Sequence, residues 1–287
     1  MEGFTVRIIT LVENTSVSEL YKPAHGLSFY IETQMHKILF DLGPGKLFLE
    51  NARKLGVNIA DVDTVVISHG HIDHGGGLRL FLQKNKKAKI YIRENAFRPH
   101  SLKMFFLYIP VGLDRTLEKN ERIIFTGPDL VLDKELELFS GVAGRNLYSK
   151  SNKQLYEKID GKTVPDMFLH ELNLIISEKD TLGSGKTDPD RKVLFAGCAH
   201  SGIINIADRA REITGDQITH AICGMHLMNP MINKSVTTQV EELGNRLMEQ
   251  PIQYYACHCT GQNEYKILRG VMGEQIKYAA TGSLIDI

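Results

Sequence analysis

The stretch that decides the fold is Ser68-His69-Gly70-His71-Ile72-Asp73-His74, which directly follows the apolar run 65–67. It places three imidazoles and a carboxylate within six residues at the end of a predicted strand. A turn here would hold His69 and His71 at one cation, while Asp73 and His74 face a second cation about 3.5–4 Å away. The alternative, a solvent-exposed histidine loop, is common for one or two histidines but does not account for this spacing. The sequence therefore predicts a metal site.

The composition is that of a globular protein without net charge. The 287 residues are 43% hydrophobic and 24% charged, with 34 basic and 34 acidic side chains. No overall field attracts nucleic acid or an anionic membrane surface, so we expect neither as a partner. The segment 5–12 predicts a strand rather than a signal peptide, no apolar run approaches membrane-spanning length, and the four cysteines are expected to be reduced. These features predict a cytoplasmic protein.

The hydrophobic pattern alternates strands and helices along most of the chain. Strands are predicted at 5–12, 27–32, 37–41, 62–68, 89–93, 191–197, 218–223, 252–257 and 276–281, the second and third pairing as a hairpin. Helices are predicted at 46–56, from 75–77 to about 84, and at 202–214, 236–248 and 262–271. We expect an α/β architecture of two facing half-sheets, each backed by helices.

Two segments depart from this pattern. The segment 95–170 is irregular, with short strand candidates at 121–125 and 129–139 and the apolar stretch 104–110. We expect it to form a lid, a pocket wall or a homodimer surface, with buried core as the alternative. The segment 181–190 predicts a hairpin tip. It contains Gly183-Ser184-Gly185-Lys186-Thr187, but Asp180 replaces the first glycine of a phosphate loop and no helix follows, which excludes nucleotide binding there.

Two further strand ends supply groups that the first cluster lacks. Asp41 ends an apolar strand beside a glycine, which suits an acceptor for the ring N–H of a ligand histidine; a turn-forming aspartate is the alternative. His200 is the predicted third ligand of the first metal, and Ser201 is predicted to cap a helix whose N–H groups receive an anionic substrate. Cys198 could bind or bridge as a thiolate, or be plain core.

The segment Tyr255–Gly261 repeats the arrangement of strand, histidine and helix start. His258 is assigned to the second metal and Thr260 is the predicted cap, again a substrate-binding position. Cys257 and Cys259 are separated by one residue, a spacing that fits neither a ready disulfide nor the two-residue-spaced pair of a structural zinc site. His226 follows another strand and could donate a proton to a leaving group, or be an ordinary loop histidine. Five histidines have no supporting spacing and stay unassigned: His25, His36, His100, His170 and His220.

Asp41, the His-X-His-X-Asp-His cluster, His200 and His258, in this order, resemble the metallo-β-lactamase superfamily over essentially the whole chain. The resemblance implies a single domain over 1–287, an αββα sandwich with a two-metal site at one edge of the sheets. His71 stands where the diiron flavoprotein branch has Glu, which argues against oxygen-reducing chemistry. Cys198 stands where the superfamily's bridging Asp is usual.

Within the superfamily, segments 197–202, 224–227 and 257–261 are similar to the branch named for a dihydropteroate-synthase-like enzyme of methanopterin biosynthesis. Many members of that branch are known only as metal-dependent hydrolases. The branch therefore implies either bond cleavage or the joining of a pterin to an arylamine.

Three hypotheses follow. The first is a hydrolase with two divalent ions, zinc first and iron or manganese as alternatives, in which a metal-bound hydroxide oriented by Asp73 attacks a small anionic substrate, a phosphate ester. The second is a transferase joining a dihydropterin pyrophosphate to a ribofuranosylaminobenzene phosphate. The third is a non-catalytic metal or thiol sensor that uses the C-terminal cysteines.

Overall fold

The computed structural model describes residues 6–178, 191–228 and 234–287. The strands, in chain order, are β1 (Arg7–Val12), β2 (Ser28–Glu32), β3 (Lys37–Phe40), β4 (Thr64–Val66), β5 (Lys89–Arg93), β6 (His100–Met104), β7 (Leu107–Pro110), β8 (Ile123–Thr126), β9 (Asp129–Val131), β10 (Leu136–Phe139), β11 (Leu155–Ile159), β12 (Lys162–Pro165), β13 (Asn173–Glu178), β14 (Arg191–Ala196), β15 (His220–Cys223), β16 (Gln253–Ala256), β17 (Ile276–Tyr278) and β18 (Leu284–Asp286). The α-helices of these residues are α1 (Leu47–Lys54), α2 (Ile72–Gly75), α3 (Leu78–Lys84), α4 (Ile203–Thr214), α5 (Lys234–Met248) and α6 (Gln262–Met272).

Two mixed sheets of seven strands each form the centre of the molecule. Their strand orders are β18-β1-β2-β3-β4-β5-β8 and β17-β16-β15-β14-β13-β10-β9. Strands β2 and β3 pair as the predicted antiparallel hairpin, whereas β3, β4 and β5 run parallel, as do β14, β15 and β16. The carboxyl ends of parallel strands meet at the same edge of a sheet. The segments after β3, β4, β14, β15 and β16 can therefore converge.

The core has three layers of buried apolar side chains. The middle layer lies between the sheets and includes Phe29, Phe40 and Phe195, whose rings pack with centroids 5.6–6.3 Å apart. A second layer packs α1 and α3 on the first sheet, and a third packs α4, α5 and α6 on the second. This arrangement confirms the predicted αββα sandwich.

The structure corrects several predicted boundaries. The candidate strand 129–139 is two strands, because Asp133 accepts the N–H groups of Glu135 and Leu136 and so turns the chain between β9 and β10. The turn expected after His71 is the start of α2, so that Asp73 and His74 are helical. The C-terminal strand β18 is absent from the predicted pattern.

The irregular segment 95–170 contains a third sheet, with strand order β12-β11-β6-β7. The apolar stretch 104–110 forms the tip and one arm of the β6–β7 hairpin, where Phe105 is 90% and Phe106 85% exposed. The alternative that this stretch is buried core is therefore wrong. Its role as a lid, pocket wall or dimer surface stays a prediction.

The predicted hairpin tip 181–190, with its glycine-rich Gly183–Thr187 stretch, lies outside the described residues. Within the ranges that the structure does describe, no helix combines the length and hydrophobicity that crossing a membrane requires.

Candidate metal centre

Three histidines form the first of two ligand sets. His69 and His71 follow β4, and His200 follows β14. One ring nitrogen of each lies within 4.8 Å of those of the other two, and all three side chains are buried. The structure thus brings together the three residues predicted to hold the first metal.

The chemistry of this set fits a cation. The Nε2 atoms of His69, His71 and His200 are buried and have no hydrogen-bond partner among the described residues. A buried polar atom left unpaired costs about 1–3 kcal/mol, so three converging ones are not expected without an occupant. Burial, reinforced by the neighbouring imidazoles, lowers the pKa of each ring well below its ordinary value. The rings are therefore neutral near pH 7, which is the form that binds metals.

The second set contains Asp73, His74 and His258. The Nε2 atoms of His74 and His258 are 3.2 Å apart, and Asp73 Oδ2 lies 3.2 Å from His258 Nε2 and 3.8 Å from His74 Nε2. Burial works to raise the pKa of Asp73, but the charges of His74 and His258 outweigh it and hold that pKa well below its usual value. An ionised carboxylate and two imidazoles this close together could hold a second cation, as the sequence predicts.

Neighbouring side chains orient most of these imidazoles. The Nδ1–H of His74 donates to Asp41 Oδ2 at 2.6 Å, His258 Nδ1 pairs with Asn14 Oδ1 at 2.8 Å, and His200 Nδ1 with Asn152 Oδ1 at 2.9 Å. In each case the Nδ1–H is taken by an oxygen, which leaves the Nε2 lone pair for a metal.

Asp41 is placed as an orienting group rather than a ligand. Its Oδ1 accepts the N–H of Ser68 at 2.7 Å, and its Oδ2 accepts from the Ser68 hydroxyl and from His74. Burial opposes protonation of His74, yet Asp41 and Asp73 raise the pKa of that imidazole to about 9. A cation that binds His74 must therefore displace a proton at neutral pH.

Cys198 lies between the two sets. Its Sγ is 3.2 Å from His74 Nε2, and it forms close groups with His69 and His74, with His200 and His226, and with His258 and Cys259. A thiolate at this position would reach both cation positions, as the prediction of a bridging role requires. All four cysteines are free and buried. Burial raises the pKa of Cys198, Cys223 and Cys257. Burial also works to raise the pKa of Cys259, but hydrogen bonds with Cys198 and His226 hold it well below its ordinary value, so the thiol-sensor hypothesis stays a prediction.

His226 lies beside the first set. Its ring centroid is 4.3 Å from that of His200, and its Nδ1 is buried without a hydrogen-bond partner among the described residues. Its backbone N–H donates to Cys259 Sγ at 3.2 Å, which fixes the loop after β15. This imidazole is therefore placed where it can face a substrate.

The predicted caps are wrong in detail. Helix α4 begins at Ile203 with Gly202 as its N-cap, and the N–H groups of His200 and Ser201 donate to the Glu171 carboxylate at 2.6 and 3.2 Å. Thr260 lies in a 3-10 turn before α6, and its hydroxyl accepts the N–H of Met225. Neither side chain caps a helix, because a glycine with positive φ occupies each N-cap. Their roles in substrate binding stay predictions.

Sequence reasoning missed several residues of this centre. His25, which is more than half exposed, has its Nε2 3.4 Å from Asp73 Oδ2 and marks the solvent side of the second set. Asn14, Asn152 and Glu171 contact the ligand segments from far along the chain. Of these residues, only His25 could have been found from the sequence, because histidine is a common metal ligand. A single Asn or Glu outside a motif gives no such indication.

The backbone is strained around the centre. Among the described residues, eight other than glycine have positive φ, and five of them lie here: Asp41, Phe168, Ala199, His226 and His258. Such conformations cost about 1–3 kcal/mol each and concentrate at functional sites. The strain agrees with the assignment of this edge as the functional one.

Comparisons with known proteins agree with this geometry. Residues 21–174 match the family model of the metallo-beta-lactamase superfamily. The chain is 25% identical, over 98% of its length and 96% of the relative, to 7,8-dihydropterin-6-methyl-4-(beta-D-ribofuranosyl)-aminobenzene-5'-phosphate synthase of Methanocaldococcus jannaschii. It is similar to the solved structure of a metal-dependent hydrolase of the beta-lactamase superfamily, with TM-score 0.76 and 26% identity over 98% of this chain and 99% of that one. The short form of human tRNase Z, 12% identical with TM-score 0.51 over 97% and 98% of the two chains, shares the fold.

Proposed function

The chain belongs to the metallo-beta-lactamase superfamily, as the sequence resemblance predicts, and on this premise we propose that it is a hydrolase that uses two divalent cations on a small phosphate ester. The observation that carries the proposal is a set of three buried imidazoles, those of His69, His71 and His200, beside the second set. Their ring nitrogens lie close together, and their Nε2 atoms have no hydrogen-bond partner among the described residues. Zinc suits these nitrogen and oxygen donors best, with iron or manganese as alternatives.

The two ligand sets have separate roles in this proposal. His69, His71 and His200 would hold one cation, and Asp73, His74 and His258 the other. Such a pair, when bound, lowers the pKa of water toward about 7 and stabilises negative charge on the attacked group. Asp73 is the one carboxylate among these six side chains, and its low pKa keeps it ionised, so that it can accept a hydrogen bond from the attacking water and orient that water.

His226 is the proposed proton donor to the leaving group. Its ring packs beside that of His200, and it forms a close group with Cys198 and His200. Its Nδ1 has no partner among the described residues and is thus available to a substrate oxygen.

The proposed substrate class is anionic for two reasons. Two divalent cations among neutral imidazoles leave the centre with excess positive charge, which favours a phosphate or carboxylate. The compound for which the archaeal relative is named carries a 5'-phosphate, and the alignment covers almost all of both chains. A phosphate ester is therefore the first class to test.

A second candidate function is the synthesis that the relative's name describes. In this reaction the chain would join a dihydropterin carrying a pyrophosphate to a ribofuranosylaminobenzene phosphate, and release pyrophosphate. The alignment favours it, because it spans 98% of this chain and 96% of the relative.

The two functions are separated by which product appears. Zinc-loaded protein is incubated with p-nitrophenyl phosphate and bis(p-nitrophenyl) phosphate, and separately with the dihydropterin pyrophosphate with and without the arylamine. Phosphate or p-nitrophenol release that is lost in Asp73→Asn supports the hydrolase. Pyrophosphate release that requires the arylamine supports the synthase and contradicts the hydrolase.

The His226→Asn variant tests the leaving-group role. Loss of a general acid costs about 10²–10⁴-fold in kcat. We expect kcat to fall by that amount for substrates with poor leaving groups and little for p-nitrophenyl phosphate, whose leaving group needs no proton. His220→Asn, at the other end of the same strand, is the matched control. An equal loss for both leaving groups would contradict the role.

A further inference from the structure

The segment Asp166–Leu172, here called the strap, connects β12 to β13 and contacts the first ligand set at several points. Sequence reasoning placed most of it in the irregular region and left His170 unassigned. Its side chains reach the β4 end and the β14 end, which lie on different sheets. These contacts connect the strap to both strand ends that carry the first ligand set.

His170 holds the loop between two of the proposed ligands. The backbone N–H of Gly70, which lies between His69 and His71, donates to His170 Nδ1 at 2.9 Å. The proton of the neutral ring is then on Nε2, which lies 3.0 Å and 3.2 Å from the two oxygens of Asp166. Asp166 also pairs with His100 Nδ1 at 2.9 Å. His170, which accepts the Gly70 N–H, is therefore itself held in place by Asp166 and, through it, by His100.

The same segment contacts the third proposed ligand. The Phe168 ring stacks on the His200 ring, with centroids 4.1 Å apart and planes 8° from parallel. Phe168 has φ of 55°, a left-handed conformation that is rare for a bulky residue, and its N–H donates to Asp166 Oδ1 at 2.7 Å. The backbone strain is thus located where the chain must turn to bring the ring onto His200.

The C-terminal end of the strap completes the contacts. Glu171, which is buried, accepts the backbone N–H of His200 at 2.6 Å, and the N–H of Leu172 donates to the carbonyl of Ser68 at 2.7 Å. The backbone of Ser68, Gly70 and His200 is therefore hydrogen-bonded to this one seven-residue segment.

A different interpretation is a cation held by His71, His100, Asp166 and His170, which are close enough to do so. Hydrogen-bond chemistry opposes it. The Nδ1 lone pair of His170 already accepts from Gly70, so a metal at Nε2 would require the ring to lose its last proton. A hydrogen-bonded brace needs no such imidazolate.

We propose that the strap positions His69, His71 and His200 as one unit and thereby sets the affinity of the first cation position, an inference that rests on the proposed two-cation function. Outer hydrogen-bond partners fix the orientation of ligand imidazoles, and losing one costs about 10–100-fold in metal affinity. His170 and Phe168 are positioning residues, because His170 acts through the backbone of Gly70 and Phe168 through the ring of His200.

The experiment compares His170→Phe with the parent protein in two backgrounds. His258→Ala leaves only the first cation position, and His69→Ala leaves only the second. Zn²⁺ and Co²⁺ affinities are measured by competition with a chromophoric chelator, and the visible spectrum of the Co²⁺ protein reports the ligand geometry. We expect His170→Phe to lower affinity about 10–100-fold and alter the Co²⁺ spectrum in the first background, with no change in the second.

Two further variants keep the outcome interpretable. His170→Asn retains a side-chain acceptor for the Gly70 N–H, so it should recover much of the affinity for the first cation. This variant also provides the test if His170→Phe folds poorly. His36→Phe is the matched control, since His36 likewise joins two carboxylates, Asp63 and Asp133, but at the opposite end of the strands.

The possible outcomes separate the two claims. If His170→Phe and His170→Asn fold and keep the parent affinity at the first position, the positioning role of the strap is overturned and the paired-metal function is not. Equal losses of affinity in both backgrounds, or an equal loss in His36→Phe, would overturn the same role. Parent protein that binds one cation per chain, sensitive to His170→Phe, would overturn the paired-metal function and support the strap. Parent protein that binds none would overturn both.

Discussion

At the scale of single residues, Asp41 links the first sheet to the second cation position. It has φ of 60°, a conformation that Asp and Asn tolerate better than other side chains, and its two oxygens serve Ser68 and His74. Its position at the end of an apolar strand, beside a glycine, predicts that Asp41 orients a ligand histidine. Its three hydrogen bonds are consistent with that prediction.

The Asp41→Asn variant tests the orienting role with little change in backbone preference. Without the carboxylate charge, the pKa of His74 should fall from its raised value of about 9, and the imidazole should lose its fixed direction. Removing the charge also reduces the competition of protons for His74, so affinities are compared at about pH 9.5, above its raised pKa. There we expect affinity at the second position to fall about 10–100-fold, with the first position unchanged. Chelator competition in the His69→Ala background measures it.

Asp286→Asn is the control for that experiment, because Asp286 pairs with Arg7 on an exposed surface. Exposed pairs contribute about 0–1 kcal/mol, so this variant should bind both metals normally. Equal metal binding by Asp41→Asn and the parent protein would show that Asp41 only turns the chain.

His36 supplies a pH dependence that is separate from the metal centre. Burial works to lower its pKa, but hydrogen bonds to Asp63 and Asp133 raise the pKa above the ordinary value. A raised folded-state pKa stabilises the fold below the unfolded pKa of about 6.5, and this stabilisation is lost as pH rises through the folded value. The difference in unfolding free energy between metal-free wild type and His36→Phe should therefore be larger at about pH 5.5 than at about pH 9. Denaturant titration at both pH values measures it, and a difference that grows with pH would contradict the account.

At the scale of elements, the two sheets come into close contact where β14 ends. A Cβ added at Gly197 would overlap the Ser68 side chain, which follows β4 on the other sheet and contacts His69 and Asp41. Only glycine lets these strand ends come together. The close approach explains how ligands from opposite sheets share one centre.

The Gly197→Ala variant should therefore force Ser68 and the β4 end away. We expect a loss of about 1–3 kcal/mol in unfolding free energy, typical of overpacking, and weaker binding at both cation positions. Gly270→Ala is the matched control, because a Cβ in α6 meets open space there and should stabilise the helix by about 0.5–1 kcal/mol. Thermal unfolding and metal titration of both variants give the comparison, and a Gly197→Ala protein as stable as wild type would refute the steric argument.

Local patterns predicted the elements that carry most of the candidate ligands, but not the elements that brace them. Periodicity placed β4, β14 and β16 within a few residues, so that each histidine at their ends was recognisable. The strap was invisible, because His170 and Gly70 are 100 positions apart and only the fold joins them. The helix caps failed for a related reason: Glu171 takes the N–H groups that Ser201 and its helix were expected to offer.

At the scale of the whole molecule, the αββα sandwich could be predicted because both halves repeat strands and helices around an apolar pattern. The segment 95–170 could not, since its third sheet has short, half-exposed strands with little alternation. What the complete fold adds is convergence: Asp41 and the His69–His74 cluster come from one sheet, and Cys198, His200 and His258 from the other. The proposed paired-metal centre therefore exists only in the assembled sandwich.

The most direct test is the metal content of gently purified protein by elemental analysis, for wild type, His69→Ala and His258→Ala. The account predicts two divalent ions per chain in wild type, with each variant losing mainly one. A single ion in wild type that His258→Ala does not affect would contradict the paired-metal centre.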